Sequence, residues 1–344
     1  MNRLIHILPI LLLWSAALAQ EDATIVTIAG GGTEVGDNVA ATDLLLRRAL
    51  DLDVDLDGNI YVADTDNHVI RRIDAFTGVA TIVAGVGEDG FFGDGGPATE
   101  AQLSRPGAVS VTDTGILFIG DTGNRRVRRV DPGTGIITTV AGTGERGRFP
   151  DFVVLVPNSE VMFGEIVSLQ AVGTVVWVGD GLDADANGNN QILQIDLDSD
   201  STNVLAGTGL PGYSGEGGNP ADAGMTVEGM AVDLSDDIRL LFADFQAHRI
   251  RAIARVDSVT TTVTTVAGRG PAGIFGEGGF FGDGGPATEG QLNFPTGVAI
   301  SGDGTIYIAD VGNGRIRAVD PDGNMVTVAG NSAFGSEGDG DLAV

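Results

Sequence analysis

The sequence predicts an all-β fold, a β-propeller of four-stranded antiparallel blades, and two kinds of repetition lead to this prediction. The ten residues FFGDGGPATE occur twice, at Phe91–Glu100 and again at Phe280–Glu289. A β-branched or apolar run ending in Ala-Gly also recurs six times, at intervals of 55 to 65 residues, with its glycine at Gly30, Gly85, Gly142, Gly207, Gly268 and Gly330. A unit of about sixty residues that repeats in phase is typical of propeller blades, which bury their faces only against one another.

Each repeat contains four short β runs, and the fifth repeat shows them most clearly. TGVAI, TIYIAD, GRIRAVD and MVTVAG follow one another there, and Asp-Gly turns precede the second and the fourth. Alternation of Val, Ile and Tyr with smaller or polar residues between such turns predicts antiparallel hairpins. The second run ends in aspartate in every repeat, at Asp64, Asp121, Asp180, Asp244 and Asp310.

The ten-residue motif is a connector between repeats, present in the second and fifth. Weaker versions stand at Ser214–Ala223 in the fourth repeat and at Gly36–Asp43 in the first. The third repeat has lost the motif and reads RFPDFVVLVPNSE instead.

The repeat resembles the NHL repeat of six-bladed β-propellers over residues 24–330, and Asn67-His68-Val69 nearly spells that name. The resemblance implies a fold rather than a function. The family includes RNA binders, cell-surface adhesion modules, sensor domains of membrane kinases and a few lyases.

The ring is expected to be incomplete. Five whole repeats lie between the six Ala-Gly marks, and the segment Thr24–Gly30 predicts the N-terminal strand of a sixth blade. Residues 331–344 read as the start of a further repeat, so we interpret the chain as a six-bladed ring truncated at its C-terminus. The alternative is a five-bladed ring with a disordered tail.

The N-terminus predicts export. Arg3 precedes an apolar run, and Ala17 and Ala19 supply small residues, so residues 1–19 have the layout of a cleaved signal peptide. The run is shorter than a membrane-spanning helix requires. We therefore expect a secreted or periplasmic protein without membrane insertion after cleavage, and the absence of Cys leaves it without disulfides.

The charge argues against nucleic-acid partners. Forty-seven acidic residues face nineteen basic ones, all Arg, which gives a formal net charge of −28. Such a surface repels phosphate backbones. The local run from Arg125 to Arg129 is too small to reverse this.

Loops on one face of the disc are the candidate binding rim, since loops on rigid scaffolds commonly carry binding. The connectors and the loops between the second and third strands should share that face. The candidate ligand-binding residues are Phe91, Phe92, Asp94, Phe280, Phe281, Asp283, Asn67 and His68. The alternative is that these repeated residues serve the repeat itself.

Each strand-end aspartate except Asp180 precedes an in-phase arginine. The arginines are Arg71, Arg128, Arg251 and Arg317, whereas the third repeat substitutes Gln194. The pairs could bind an acidic or carbohydrate ligand, or they could brace their own blades.

Calcium is the one cofactor that the sequence suggests. Asp53, Asp55 and Asp57 resemble the start of a calcium loop, but the surrounding pattern favours a hairpin turn. Asp183, Asp185 and Asn187 lie in an insertion that the other repeats lack, and closely spaced oxygen ligands suit Ca²⁺.

The favoured function is a non-catalytic binding or protein-interaction module whose partner is an extracellular protein or a cell-envelope glycan. The alternative is a calcium-dependent hydrolase, similar to lactonase propellers, with its site at the channel mouth. A zinc lyase is disfavoured because the mature chain has only two histidines, His68 and His248, and no Cys.

Overall fold

The computed structural model describes residues 24–147, 155–181, 189–234, 239–255, 261–269 and 278–332. These residues form five antiparallel sheets, and each sheet is one blade with its four strands paired in chain order. The predicted signal peptide and the candidate calcium ligands Asp183, Asp185 and Asn187 lie outside the described residues, as do residues 333–344.

The first three blades are regular. Blade one consists of β2 to β5, and the short strand β1 adds to its outer edge; the bounds are β1 Val39–Ala40, β2 Ala49–Val54, β3 Ile60–Asp64, β4 Val69–Ile73 and β5 Val79–Ala84. Blade two consists of β6 Ala108–Val111, β7 Leu117–Asp121, β8 Arg126–Val130 and β9 Ile137–Ala141. Blade three consists of β10 Ile166–Val172, β11 Val175–Asp180, β12 Gln191–Asp196 and β13 Ser201–Ala206.

The last two blades repeat the pattern. Blade four consists of β14 Val227–Asp233, β15 Arg239–Asp244, β16 Arg249–Arg255 and β17 Thr261–Ala267. Blade five has β18 Gly285–Pro286 at its outer edge, followed by β19 Pro295–Ile300, β20 Ile306–Asp310, β21 Arg315–Val319 and β22 Asn324–Ala329. The all-β propeller predicted from the repeats is confirmed.

Short 3-10 turns mark equivalent points of the repeats. One set ends the connectors, at Ala41–Asp43, Ala98–Glu100, Asn158–Glu160, Pro220–Asp222 and Ala287–Glu289. A second set follows the second strand, at Thr65–Asn67, Thr122–Asn124 and Val311–Asn313. The third repeat therefore keeps the connector turn although it has lost the connector sequence.

The core lies between blades. Phe118 and Val127 of blade two pack with Leu169 and Val178 of blade three in one buried cluster, and similar clusters join each other pair of successive blades. An interior blade is covered on both faces, so successive residues of one strand pack against different neighbours, as Phe118 does toward blade three and Ile119 toward blade one.

The described residues form an open ring. The inner strands of successive blades contact one another, β2 with β6, β6 with β10, β10 with β14 and β14 with β19. No comparable contact joins β19 with β2 within the described residues. Of the predicted strand Thr24–Gly30, only Thr24 and Ile25 take part in bridge pairing. Among the described residues, no blade lies between blade five and blade one.

Candidate ligand-binding face

The connectors and the loops between second and third strands lie on one side of the disc, which we call the connector face. In blade two, the Asn124 side-chain amide donates to the Gly90 carbonyl of the connector at 2.7 Å. In blade five, Asn313 donates to the Gly279 carbonyl at 2.8 Å. These bonds bring together the two loop sets that hold the predicted rim residues.

Phe91 and Phe280, the first phenylalanine of each connector motif, are held by arginine stacking. The Arg126 guanidinium lies 4.0 Å from the Phe91 ring centroid, and Arg315 lies 3.9 Å from that of Phe280. Tyr213 has the same place in blade four, 3.8 Å from Arg249. Cation–π contacts at this distance fix both partners, so these rings belong to the framework of the face.

Phe92 and Phe281, the second phenylalanines, are more exposed than Phe91 and Phe280 (43% and 45%), although the Arg269 guanidinium lies 5.5 Å from the Phe281 ring centroid. The exposed fractions of Phe92 and Phe281 are 69% and 58%. The backbone of each is anchored, because its carbonyl accepts a hydrogen bond from Gln102 or Gln291. Two aromatic rings are thereby presented to solvent on the connector face by a rigid backbone.

Asp94 and Asp283 brace the connector. Asp94 accepts a 2.6 Å hydrogen bond from Arg128, and Asp283 accepts one of the same length from Arg317. Asp283 also accepts from the Thr327 hydroxyl. Both carboxylates keep partial exposure, 38% and 39% of the side chain.

Asn67 and His68 are also engaged in the structure. The Asn67 amide donates to the Leu45 carbonyl and to Asp64. His68 has a left-handed backbone (φ 56°), and its Nδ1 accepts the Arg105 backbone N–H of the next blade at 3.1 Å. These residues position loops of the predicted rim.

His248 has the same place in blade four, where its Nδ1 accepts the Phe294 N–H at 2.9 Å. Burial, with a contribution from neighbouring Arg249, lowers the pKa of this imidazole. The neutral form that acts as acceptor is therefore favoured.

Four buried ion pairs lie beneath the face. The strand-end aspartate of each blade except the third contacts an arginine of the third strand, with N–O distances of 2.7 to 3.3 Å, in Asp64–Arg71, Asp121–Arg128, Asp244–Arg251 and Asp310–Arg317. The side chains of all eight residues are at most 1% exposed. They are therefore framework pairs rather than ligand-accessible ones.

The third blade departs from this arrangement. Gln194 was predicted to stand at its arginine position, and this prediction is wrong by one residue. Arg128 lies opposite Ile119, and the equivalent pairing in blade three places Leu193 opposite Val178. Leu193, fully buried, thus replaces the arginine, while Gln194 accepts a hydrogen bond from the Trp177 indole. The sequence alone could have identified Leu193, because NNQILQID aligns with NRRVRRVD without a gap.

Asp180 is consequently buried without a guanidinium. It accepts hydrogen bonds from the backbone N–H groups of Gly164 and Glu165 and from the Asn189 amide. Burial raises its pKa to about 7, although these bonds oppose the shift. In blade four, burial raises the pKa of Asp244 to about 6, against the opposing charge of Arg251.

The inner strands carry further carboxylates with raised pKa values. Burial raises the pKa of Asp51 and that of Glu228 to about 7, and the charge of Glu165 adds to the second shift.

The part of the chain that the structure describes contains no group of three or more metal-ligating side chains. Asp55, from the first calcium-like motif, accepts from the backbone N–H groups of Asp57 and Asn59, as a hairpin turn requires.

No helix within the described ranges is long and apolar enough to cross a membrane.

Comparison with known proteins supports the repeat assignment. A family model described as the teneurin NHL domain matches residues 27–131 and 227–338. Zebrafish (Danio rerio) teneurin-3 is 30% identical over 288 residues, which are 76% of this chain and 10% of the relative. The Arabidopsis thaliana chloroplastic protein SUPPRESSOR OF QUENCHING 1 is 37% identical over 309 residues, covering 86% of this chain and 27% of the relative. Human NHL repeat-containing protein 2 is 26% identical over 296 residues, covering 79% and 38%.

These relatives are much longer proteins, and the chain spans less than two fifths of each. Among solved structures, an auxiliary nutrient binding protein from Bacteroides ovatus superimposes with a TM-score of 0.55 at 17% identity, covering 81% of this chain and 59% of that one. At this identity the likeness concerns the fold alone. Together with the five in-phase blades, the family match shows that this chain belongs to the NHL-repeat β-propeller family, with the teneurin NHL domain as its matching model.

Proposed function

We propose that this protein is an exported, non-catalytic binding module that engages its partner through the connector face. The observation that carries the proposal is the exposure of Phe92 and Phe281 on an anchored backbone. Exposed aromatic side chains with little conformational freedom are favoured binding anchors.

The remaining rim residues have a supporting part in this proposal. Phe91, Phe280, Asp94 and Asp283 hold the connectors through arginine contacts, and Asn67 and His68 hold the adjoining loops. Because these contacts are satisfied within the protein, a partner would meet a preformed surface, which reduces the ordering cost of binding. The proposed partners are an extracellular protein or a cell-envelope glycan.

Replacing both Phe92 and Phe281 by serine is expected to weaken partner binding at least tenfold without changing the fold, because interface anchors of this type contribute about 2 kcal/mol or more. Binding is measured by biolayer interferometry against purified peptidoglycan, neutral polysaccharides and candidate extracellular proteins. The matched control is Phe76→Ser, since Phe76 is 97% exposed in the turn between β4 and β5, outside the connector face. Equal binding by the double variant and the parent protein would contradict the proposal.

Calcium dependence separates the enzyme alternative from the binding module. If Asp183, Asp185 and Asn187 bind Ca²⁺, added calcium should raise the melting temperature through ligand linkage, and the variant Asp183→Asn, Asp185→Asn should abolish the rise. An unchanged melting temperature of the parent protein in excess calcium would remove the cofactor of that alternative.

A further inference from the structure

We propose that a cleft between blades two and three binds an α-amino acid with an apolar side chain. The cleft lies on the side of the disc opposite the connector face, because the β10–β11 and β12–β13 turns that line it are at the other ends of the strands. Its ligand is therefore independent of the proposed function, which concerns the connector face.

The cleft has the size and the apolar wall of a small-molecule site. Its volume is about 420 Å³, and sites for small ligands commonly measure about 300 to 1,000 Å³. Phe118 and Val140 of blade two and Leu197 of blade three form the apolar wall. Gly173 also lines the cleft, and a Cβ atom there would meet nothing within 4 Å apart from its chain neighbours. The cleft therefore has room for an aliphatic or aromatic side chain.

One cross-strand pair explains why an arginine is available in this cleft. In blade one, Tyr61 lies opposite Arg72, and its hydroxyl hydrogen-bonds the guanidinium. In blade three, the Trp177 indole bonds its cross-strand partner in a similar way, at 3.3 Å. In blade two the pair is Phe118 and Arg129. Phenylalanine has no polar atom to bond the guanidinium, so Arg129 lines the cleft without the contact that Arg72 makes.

Two opposite charges line the cleft and select the class of ligand. The Arg129 side chain is 30% exposed and donates from Nη2 to Asp131 at 3.2 Å, and exposed pairs of this type are weak. Asp200, in the β12–β13 turn, is exposed, and its Oδ1 accepts the Asn158 N–H at 3.3 Å. A simple anion would be repelled by both aspartates, whereas a zwitterion satisfies Arg129 and Asp200 together.

An α-amino acid carries both charges on one carbon atom. Its carboxylate would bind the Arg129 guanidinium, its ammonium group would bind the Asp200 carboxylate, and its side chain would pack against Phe118 and Leu197. The ligand class thus follows from the charge pair and from the apolar wall, which lie in the same cleft.

Isothermal titration calorimetry of the full chain with L-leucine and L-phenylalanine tests the proposal. We expect saturable binding of both. L-Leucinamide, which lacks the carboxylate, and N-acetyl-L-leucine, which lacks the ammonium group, should each bind at least roughly tenfold more weakly, because each loses one charged contact. Glycine should also bind roughly tenfold more weakly, because it lacks the apolar side chain. The proposal is overturned if neither amino acid binds saturably up to about 10 mM, or if N-acetyl-L-leucine binds as tightly as L-leucine.

Substitutions of the two charged residues make the test specific. Arg129→Leu should weaken L-leucine binding at least roughly tenfold. The matched control is Arg72→Leu, since Arg72 has a similar exposed ion pair, with Asp74, at the equivalent position of blade one. Asp200→Asn keeps a residue that tolerates the left-handed backbone at this position (φ 48°). It should weaken binding of L-leucine but not of N-acetyl-L-leucine. Equal losses of L-leucine binding from Arg129→Leu and Arg72→Leu would overturn the proposal.

A third variant closes the cleft without removing a charge. Phe118→Tyr supplies the hydroxyl that Tyr61 has in blade one, so it should engage Arg129 and abolish L-leucine binding while circular dichroism shows an unchanged fold. Undiminished binding by this variant would place the ligand elsewhere and overturn the proposal. The Phe92→Ser, Phe281→Ser variant should bind L-leucine like the parent protein, which distinguishes failure of the connector face from failure of this cleft.

Discussion

Replacing Arg128 by leucine is expected to lower the free energy of unfolding by about 3–5 kcal/mol, the cost of removing one partner from a buried ion pair. Arg128 bonds both Asp121, which is fully buried, and Asp94 of the connector. The variant leaves Asp121 without a cation in a dry environment and releases the connector. Urea denaturation followed by tryptophan fluorescence or circular dichroism measures the change.

Arg129→Leu is the matched control, one residue further along the same strand. Arg129 contacts Asp131 at 3.2 Å, and both side chains are about one third exposed (30% and 36%). Exposed pairs of this type contribute less than about 1 kcal/mol. Equal losses from the two substitutions would show that burial of the Arg128 pair does not matter.

The buried charge that Arg128→Leu leaves behind can also be removed. Adding Asp121→Asn to Arg128→Leu replaces the carboxylate by a neutral amide, so the double variant should recover about half of the lost stability. Blade three shows that a strand-end carboxyl without a guanidinium binds its proton more tightly, because burial raises the pKa of Asp180 to about 7. If the double variant is less stable than Arg128→Leu alone, the charge of Asp121 is not the source of the loss.

Stability should fall as the pH rises from 5 to 8. Burial raises the pKa of Asp51, Asp180 and Glu228 to about 7. Since each folded-state pKa exceeds its unfolded value, the folded protein binds more protons between about pH 4 and 7, and raising the pH through this range favours the unfolded chain. The measurement is the free energy of unfolding at several pH values.

Asp180→Asn should reduce that pH dependence by about 2 kcal/mol between pH 5 and 8, because it removes one carboxyl that must otherwise lose its proton while buried. The control is Asp196→Asn. Hydrogen bonds from Ser199 and Asp198 lower the pKa of this exposed carboxyl, so its titration lies below the tested range. A slope that Asp180→Asn leaves unchanged would contradict the assignment of Asp180 as a proton-binding group.

The blades were predictable from the sequence because the same pattern of strands and turns recurs in five repeats. Alternation of apolar residues, Asp-Gly turns and the recurring strand-end aspartate predicted strands and hairpins that the structure confirms. The strand Thr24–Gly30 was less predictable. Its partner is not dictated by any local pattern, and bridge pairing is confined to Thr24 and Ile25.

The sequence predicted which loops carry the rim residues, but not which of these residues stack within the protein and which face solvent. Phe91 and Phe92 are adjacent residues of the same type, yet Phe91 stacks against Arg126 while Phe92 faces solvent. Neighbouring residues in an irregular loop have no fixed periodicity, so only the packed structure distinguishes them. The replacement of arginine by Leu193, in contrast, follows from the gapless alignment of the two repeats, and the strand register agrees with it.

The sequence by itself determined that this protein is a propeller of NHL repeats, since hydrophobic period and turn chemistry are local properties that each repeat encodes independently. Tertiary structure alone decided which polar groups lie buried in pairs and which aromatic rings reach solvent. It also decided that Leu52 and Ile316 are exposed, at 60% and 39%. Burial depends on what packs against a residue from elsewhere in the chain, and that information is absent from any single repeat.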